Sequence, residues 1–463
     1  MKRTGTFMTA AIACSISMTL AATIAAQPGS DDEVFVVVRA GTIITGDGKE
    51  LAGGEIVIVD GKVRLVGRDL DYPRSATIID ARDQVVMPGM IHAYSRAGLP
   101  TYTRNGVHAN YSVRDDVNLD VLDLNDLVEA GFTAVCLQPN GNGIPGTAAM
   151  YRTAGPDEER LLVNEVWLRT SMTNPGSDKA ALRGAISKAH AEIAKIEKAR
   201  KEWEEKQKKA AEAKANEAKP AEGGKKDEGG SGGDEPKKEE PAQEKKPEEE
   251  KFEPPATDPA VKPFMEIIQK ESTLPLLMEV NDSSDILHAI DLLAEDDKVD
   301  LDVRLLLEDA SGFRLADYAY IVDTLIEHKD DFDYILMPGV SQLPDTNVAF
   351  NLAGELAARG IKPAFVPRGD NRGILQQYRA DVAVLVRCGM TRAQALDALL
   401  AQPARITGVS ERMGTIAKDK DADLVFLDGD PLDPFSKVTR VMILGETVYE
   451  AEDATASSSK ESR

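Results

Sequence analysis

Residues 34–86 read as short apolar runs punctuated by turn residues. The Val36-Val37-Val38 run, a Gly46-Asp47-Gly48 turn, an apolar stretch over 55–59, an Asp60-Gly61 pair and a run over 63–66 predict strands joined by tight hairpins. From residue 87 to about 408 the pattern changes, and short β-rich runs alternate with segments of helical period. That alternation predicts repeated βα units around a parallel sheet or barrel. Strands are expected at 133–138, 161–168, 274–280, 303–308, 334–337 and 363–367. Strand character returns with Leu424-Val425-Phe426-Leu427, an Asp428-Gly429-Asp430-Pro431 turn and runs over 438–444 and 447–449, before a polar tail at 451–463.

One region breaks this order. Residues 181–218 form a Lys, Glu and Ala-rich helical pattern with few large apolar residues after Ile196, and 219–255 is a Gly, Pro, Glu and Lys mixture of no hydrophobic period. The second stretch cannot bury enough apolar surface to offset the entropy of ordering, so disorder is expected there. The charged block 190–258 is read as an insertion between two βα units, where loop length is tolerated.

Composition narrows the classes. A chain of 463 residues with 42% apolar content can bury a large core, and a net charge of −23 opposes nucleic-acid binding, which needs clustered cations. Met1-Lys2-Arg3, an apolar stretch over 7–24 and small residues before Gln27 predict a signal peptide over 1–26 and export to the periplasm or the exterior. After its removal no segment is long and apolar enough to span a membrane. Cys136 and Cys388 could pair in an oxidising compartment or stay apart, and spacing alone does not decide. Oligomerisation is left open by the sequence.

Chemistry concentrates in Pro88-Gly89-Met90-Ile91-His92-Ala93-Tyr94-Ser95-Arg96. This segment resembles the first barrel strand of the amidohydrolase superfamily, in which Pro-Gly-hydrophobe-Ile-Asp-x-His-x-His carries two metal-binding histidines. Further blocks agree in order: the strand and turn pattern of 43–67, Ile79-Asp80-Ala81, the helix over 389–408, and Lys420-Asp421-Ala422-Asp423-Leu424-Val425. Together they are similar to imidazolonepropionase-like members. The resemblance implies a (β/α)8 TIM-like barrel over 87–408, a small β-sandwich composed of 34–86 and 409–450, and metal-dependent hydrolysis of non-peptide C–N bonds. It also implies zinc or another divalent metal.

The ligand positions depart from that pattern. The two first-strand histidines correspond to Tyr94 and Arg96, the middle-strand histidines to Glu279 and Asp309, and the last-strand aspartate to Arg368, unless a two-residue shift makes Asp370 the general base. A guanidinium has no lone pair to donate and brings positive charge toward a cation, so no metal cofactor is expected. His92 stands at the family's aspartate position, and no two of the five histidines have ligand spacing. Three arrangements are compatible with these residues. Arg96 and Arg368 could pair with Glu279 and Asp309; the arginines, with His92, Tyr94 and Asn281, could bind a small polar or anionic ligand; or Glu279, Asp309 and Asp370 could hold a hard cation. The Gly-rich 140–146 segment lacks the Lys-Ser/Thr of a phosphate cradle.

The expectation is an exported α/β protein of amidohydrolase type that has lost hydrolysis and acts in binding or as a scaffold. An active hydrolase on cyclic amides with a non-standard site, and a role carried by the charged insertion, stand as alternatives.

Overall fold

The computed structural model describes residues 33–217, 251–295, 301–307, 314–343 and 345–452. The chain's two ends build one seven-stranded sheet. Phe35–Ile44, Glu50–Val59 and Lys62–Gly67 form an antiparallel run, and Thr77–Pro88 lies parallel to the first of them. Leu424–Leu427 pairs antiparallel with Val85 to Pro88 and carries Val438–Ile443 and Glu446–Glu450 beside it. The predicted Asp60-Gly61 hairpin is present, with φ of 49° and 76° at its two residues, the left-handed pair that matches strand twist. The expected sandwich is thus corrected to a single sheet, because the last strand of the N-terminal segment pairs edge to edge with the C-terminal strands.

Between these ends lies the α/β body. Met90–Ser95 runs parallel to Phe132–Leu137, which pairs antiparallel with Ala149–Arg152 and through it with Leu161–Val163. A second sheet lines up Leu168–Ser171, Leu276–Val280, Val303–Leu307, Phe332–Leu336 and Ala364–Phe365, all parallel. The sheets meet at residues 146–152, where Gly146–Thr147 pairs with the second and Ala149–Arg152 with the first.

At the far side Met90–Ser95 and Ala364–Phe365 are unpaired edges, and the helix Arg392–Ile406 packs on both. The hydrogen-bonded ladder is therefore open, which corrects the expected closed eight-stranded barrel. One connection returns antiparallel, and the last parallel strand is only two residues long, too short to bridge the gap.

Two apolar layers explain why the parallel strands are buried on both faces. Ile91, Ala134, Trp167, Leu277, Leu306 and Ile335 fill the inside. Phe132, Leu168, Met278, Leu305 and Phe365 face outward against helix residues such as Leu325, Leu375 and Leu396. By alternation Arg169 and Glu279, each two residues beyond Trp167 and Leu277, continue the inner face.

The helix Pro175–Glu217 starts six residues before its predicted onset at 181, and 43 residues at 1.5 Å rise make it about 65 Å long. Leu182, Ala185 and Ala189 bury its first turns. Farther along, residues 251–258 run back against it: Phe252 packs on Trp203 at 5.9 Å and Lys195 Nζ donates to the Ala256 carbonyl. Residues 251–255 are thus ordered, a correction at the edge of the stretch expected to be disordered; residues 218–250, the signal segment and 453–463 lie outside the described residues. Cys136 is buried and Cys388 exposed, and both are free.

Candidate functional site

The C-terminal ends of the parallel strands carry a buried polar cluster centred on Glu279. Its carboxylate accepts from Arg169 Nε at 2.6 Å and Nη2 at 2.5 Å, a bidentate pair in which both side chains are buried. The Tyr94 hydroxyl donates to the same carboxylate. Arg169 Nη1 donates to the Gly141 carbonyl at 2.6 Å. Beneath them Trp167 Nε1 donates to Gln138, whose amide nitrogen lies within hydrogen-bond reach of the Ala93 and Cys136 carbonyls.

A second cluster surrounds Asp370, just past Ala364–Phe365. Ser95 Oγ donates to Oδ1 at 2.6 Å and the Arg96 backbone N–H to Oδ2 at 2.9 Å. The gap between the two strand edges is crossed here. His92 Nε2 stands 3.2 Å from Asp370 Oδ1 but out of line for a hydrogen bond, and neither nitrogen of this fully buried ring has a hydrogen-bond partner. Burial acts to raise the pKa of Asp370, but the neighbouring imidazole, the Ser95 hydroxyl and the Arg96 amide together hold it below the usual carboxylate range.

Arg96 is half-buried. Its Nη2 donates to the Pro100 carbonyl at 2.9 Å, whereas Nη1 lies under the surface with no acceptor. Desolvation and, next, the nearby Arg169 charge lower its pKa, opposed in part by Asp370. Arg368 Nη2 donates to the Pro338 carbonyl, and Asn281 contributes its backbone N–H to Asp285. Asp309 lies outside the described residues.

Two segments close over this region. The backbone N–H groups of Arg104, Gly106 and His108 donate in turn to the carbonyls of Asn140, Asn142 and Ile144, and Thr147 N–H donates to Tyr111. A Cβ at Gly141 would stand 1.8 Å from the Arg104 carbonyl, so the Gly-rich 140–146 segment is a track for close backbone docking. Arg104 lies over the Tyr111 ring at 3.5 Å and pairs with Asp116 at 3.2 Å.

The structure thus brings Tyr94 to Glu279, and Arg96, through its backbone, to Asp370. It corrects the expected pairing: Glu279 is neutralised by Arg169, not by Arg96 or Arg368. Sequence reasoning missed Arg169 and Ser95. The only signal for Arg169 was an arginine interrupting an apolar strand.

The divalent metal implied by the resemblance does not fit these donors. Both Glu279 oxygens are engaged by a guanidinium, Tyr94 donates instead of offering a lone pair, and Arg96 projects from the second histidine position. Among the described residues no three His, Cys, Asp or Glu side chains are grouped as a metal would need.

The amidohydrolase family profile matches residues 350–448. A dihydroorotase of Caldicellulosiruptor saccharolyticus is 27% identical over 111 residues, 23% of this chain and 23% of the relative. A dihydroorotase of Anaeromyxobacter dehalogenans is 30% identical over 95 residues, 20% and 19% of the respective chains. The match therefore spans less than a quarter of these curated relatives. An amidohydrolase structure from Thermotoga maritima MSB8 superposes with a TM-score of 0.63 at 19% identity, covering 90% of this chain and all of that one. This likeness shows a shared fold across both the terminal sheet and the α/β body, and residues 350–448 match the amidohydrolase family.

Proposed function

We propose that this chain is an exported amidohydrolase-fold protein without metal-dependent hydrolysis, acting as a binding or scaffold component that takes a small polar or anionic ligand at the strand ends. The observation that carries this reading is the Arg169–Glu279 pair. A fixed internal guanidinium takes the electrostatic place that a divalent cation would occupy, and it saturates the one described carboxylate that projects from a middle-strand ligand position.

Asp370 favours a second reading, an active hydrolase, since it is held ionised at the strand ends. Its oxygens, however, are occupied by the Ser95 hydroxyl and the Arg96 amide, and Ser95 faces Asp370 where a nucleophile would face a base. Assay of the mature protein against a panel of cyclic amides, with and without added zinc or manganese, separates the two. The proposal predicts no turnover above buffer in either condition and none lost in Asp370→Asn. Turnover that depends on Asp370 would establish the hydrolase.

A further inference from the structure

Arg96 stands out among the described charges at the strand ends. Glu279 is taken up by Arg169 and Tyr94, Asp370 by the Ser95 hydroxyl and the Arg96 amide, and Asp116 by Arg104 and Tyr111. Among the described residues the Arg96 guanidinium donates to the Pro100 carbonyl, and its Nη1 is buried without an acceptor. Leaving a buried donor of a charged group without an acceptor is unfavourable, so an acceptor supplied from outside would gain what the fold does not provide. On the same strand His92 Nδ1 is a buried ring nitrogen without a hydrogen bond, while its Nε2 faces Asp370 at 3.2 Å.

We propose that Arg96 anchors a small monocarboxylate at the C-terminal ends of the strands. This inference rests on the non-hydrolytic reading above, since a metal at this position would displace the guanidinium. The ligand class follows from the surroundings. A planar guanidinium with one free terminal nitrogen suits the oxygens of a carboxylate. The Asp370 carboxylate, whose charge reaches the Arg96 guanidinium, repels a dianion such as phosphate more strongly than a monoanion. An uncharged amide would meet the donor but leave the desolvated charge uncompensated.

The experiment is calorimetric titration of the purified mature protein with sodium formate and sodium acetate, and separately with phosphate and acetamide, at constant ionic strength. Wild type, Arg96→Gln, Arg96→Lys and the distant surface variant Arg359→Gln are compared, with metal content measured on each sample. Saturable binding of formate or acetate is expected in wild type and in Arg359→Gln. It should weaken roughly tenfold or more in Arg96→Gln, the loss of one charged hydrogen bond. Arg96→Lys keeps the charge but not the fork and should fall between; it replaces Arg96→Gln as the deciding variant if the latter does not fold. Absence of saturable carboxylate binding to folded wild type, binding that survives in the Arg96 variants, or preference for phosphate or acetamide would overturn the proposal. Failure on metal-free protein would overturn the ligand alone, whereas stoichiometric bound metal would overturn the non-hydrolytic reading whatever the titration gave.

Discussion

Removing the Arg169 guanidinium takes the bidentate partner from the buried Glu279 carboxylate, and breaking a buried pair from one side costs about 3–5 kcal/mol. Arg169→Met should therefore lower the unfolding free energy measured in urea by that amount. Combining it with Glu279→Gln should recover a large part of the loss, because the unpaired charge is then gone. Equal destabilisation in the double variant would mean that the pair matters only through packing. Asp423 supplies the pH-dependent counterpart. It is buried beside Arg152, whose guanidinium also holds Asp421, and accepts the Leu444 N–H. Desolvation, which outweighs Arg152, pushes its pKa to about 6 from an ordinary 3.8. The folded state thus binds this proton more tightly than the unfolded chain. Its contribution is full below about pH 4 and is lost as pH rises through 6. Asp423→Asn should flatten the dependence of unfolding free energy on pH across that window, and an unchanged slope would contradict the assignment.

The loops carry the next level of organisation. Gly141→Ala would force a Cβ to 1.8 Å from the Arg104 carbonyl at φ +136°, while Gly106 at φ +100° has nothing within 4 Å of its added Cβ. Gly141→Ala should cost upwards of about 2 kcal/mol and speed hydrogen exchange at residues 104–108; Gly106→Ala should cost about 1 kcal/mol, the backbone strain alone. Similar losses in both would show that the close docking of the two segments contributes little. These elements also mark how far the sequence could be read. The strands at 132–137, 276–280 and 303–307 were legible because they are buried at nearly every position and mostly apolar, with Glu279 and Arg304 as interruptions. The antiparallel return at 149–152 was not, since strand direction depends on the partner, and nothing local distinguishes a return from a crossover. Arg169 was illegible for the same reason: its partner lies 110 residues away. Of the site residues named from sequence, Tyr94 meets Glu279 and Arg96 meets Asp370, because the family resemblance set them at strand ends even where it did not set their pairings.

At the scale of the molecule, both chain ends share one sheet, and that sheet is fastened to the body through Arg152 on Ala149–Arg152 and the Asp421–Asp423 segment. The long Pro175–Glu217 helix, by contrast, packs on the body through its N-terminal half, as far as Ile193 and Ile196, and meets its own return at Trp203 and Phe252. Replacing 200–252 by a short Gly/Ser linker should leave the thermal midpoint within about 2 °C, since few buried apolar groups are removed. A large drop would make the helix part of the core. The central claim concerns what fills the strand ends. Elemental analysis of the mature protein, purified without chelator or metal-affinity resin, tests it most directly. The account predicts less than roughly a tenth of an equivalent of zinc, manganese or iron, unchanged after incubation with added metal, because Arg169 already holds Glu279. About one equivalent or more, bound at the strand ends and removed only by chelation, would contradict it.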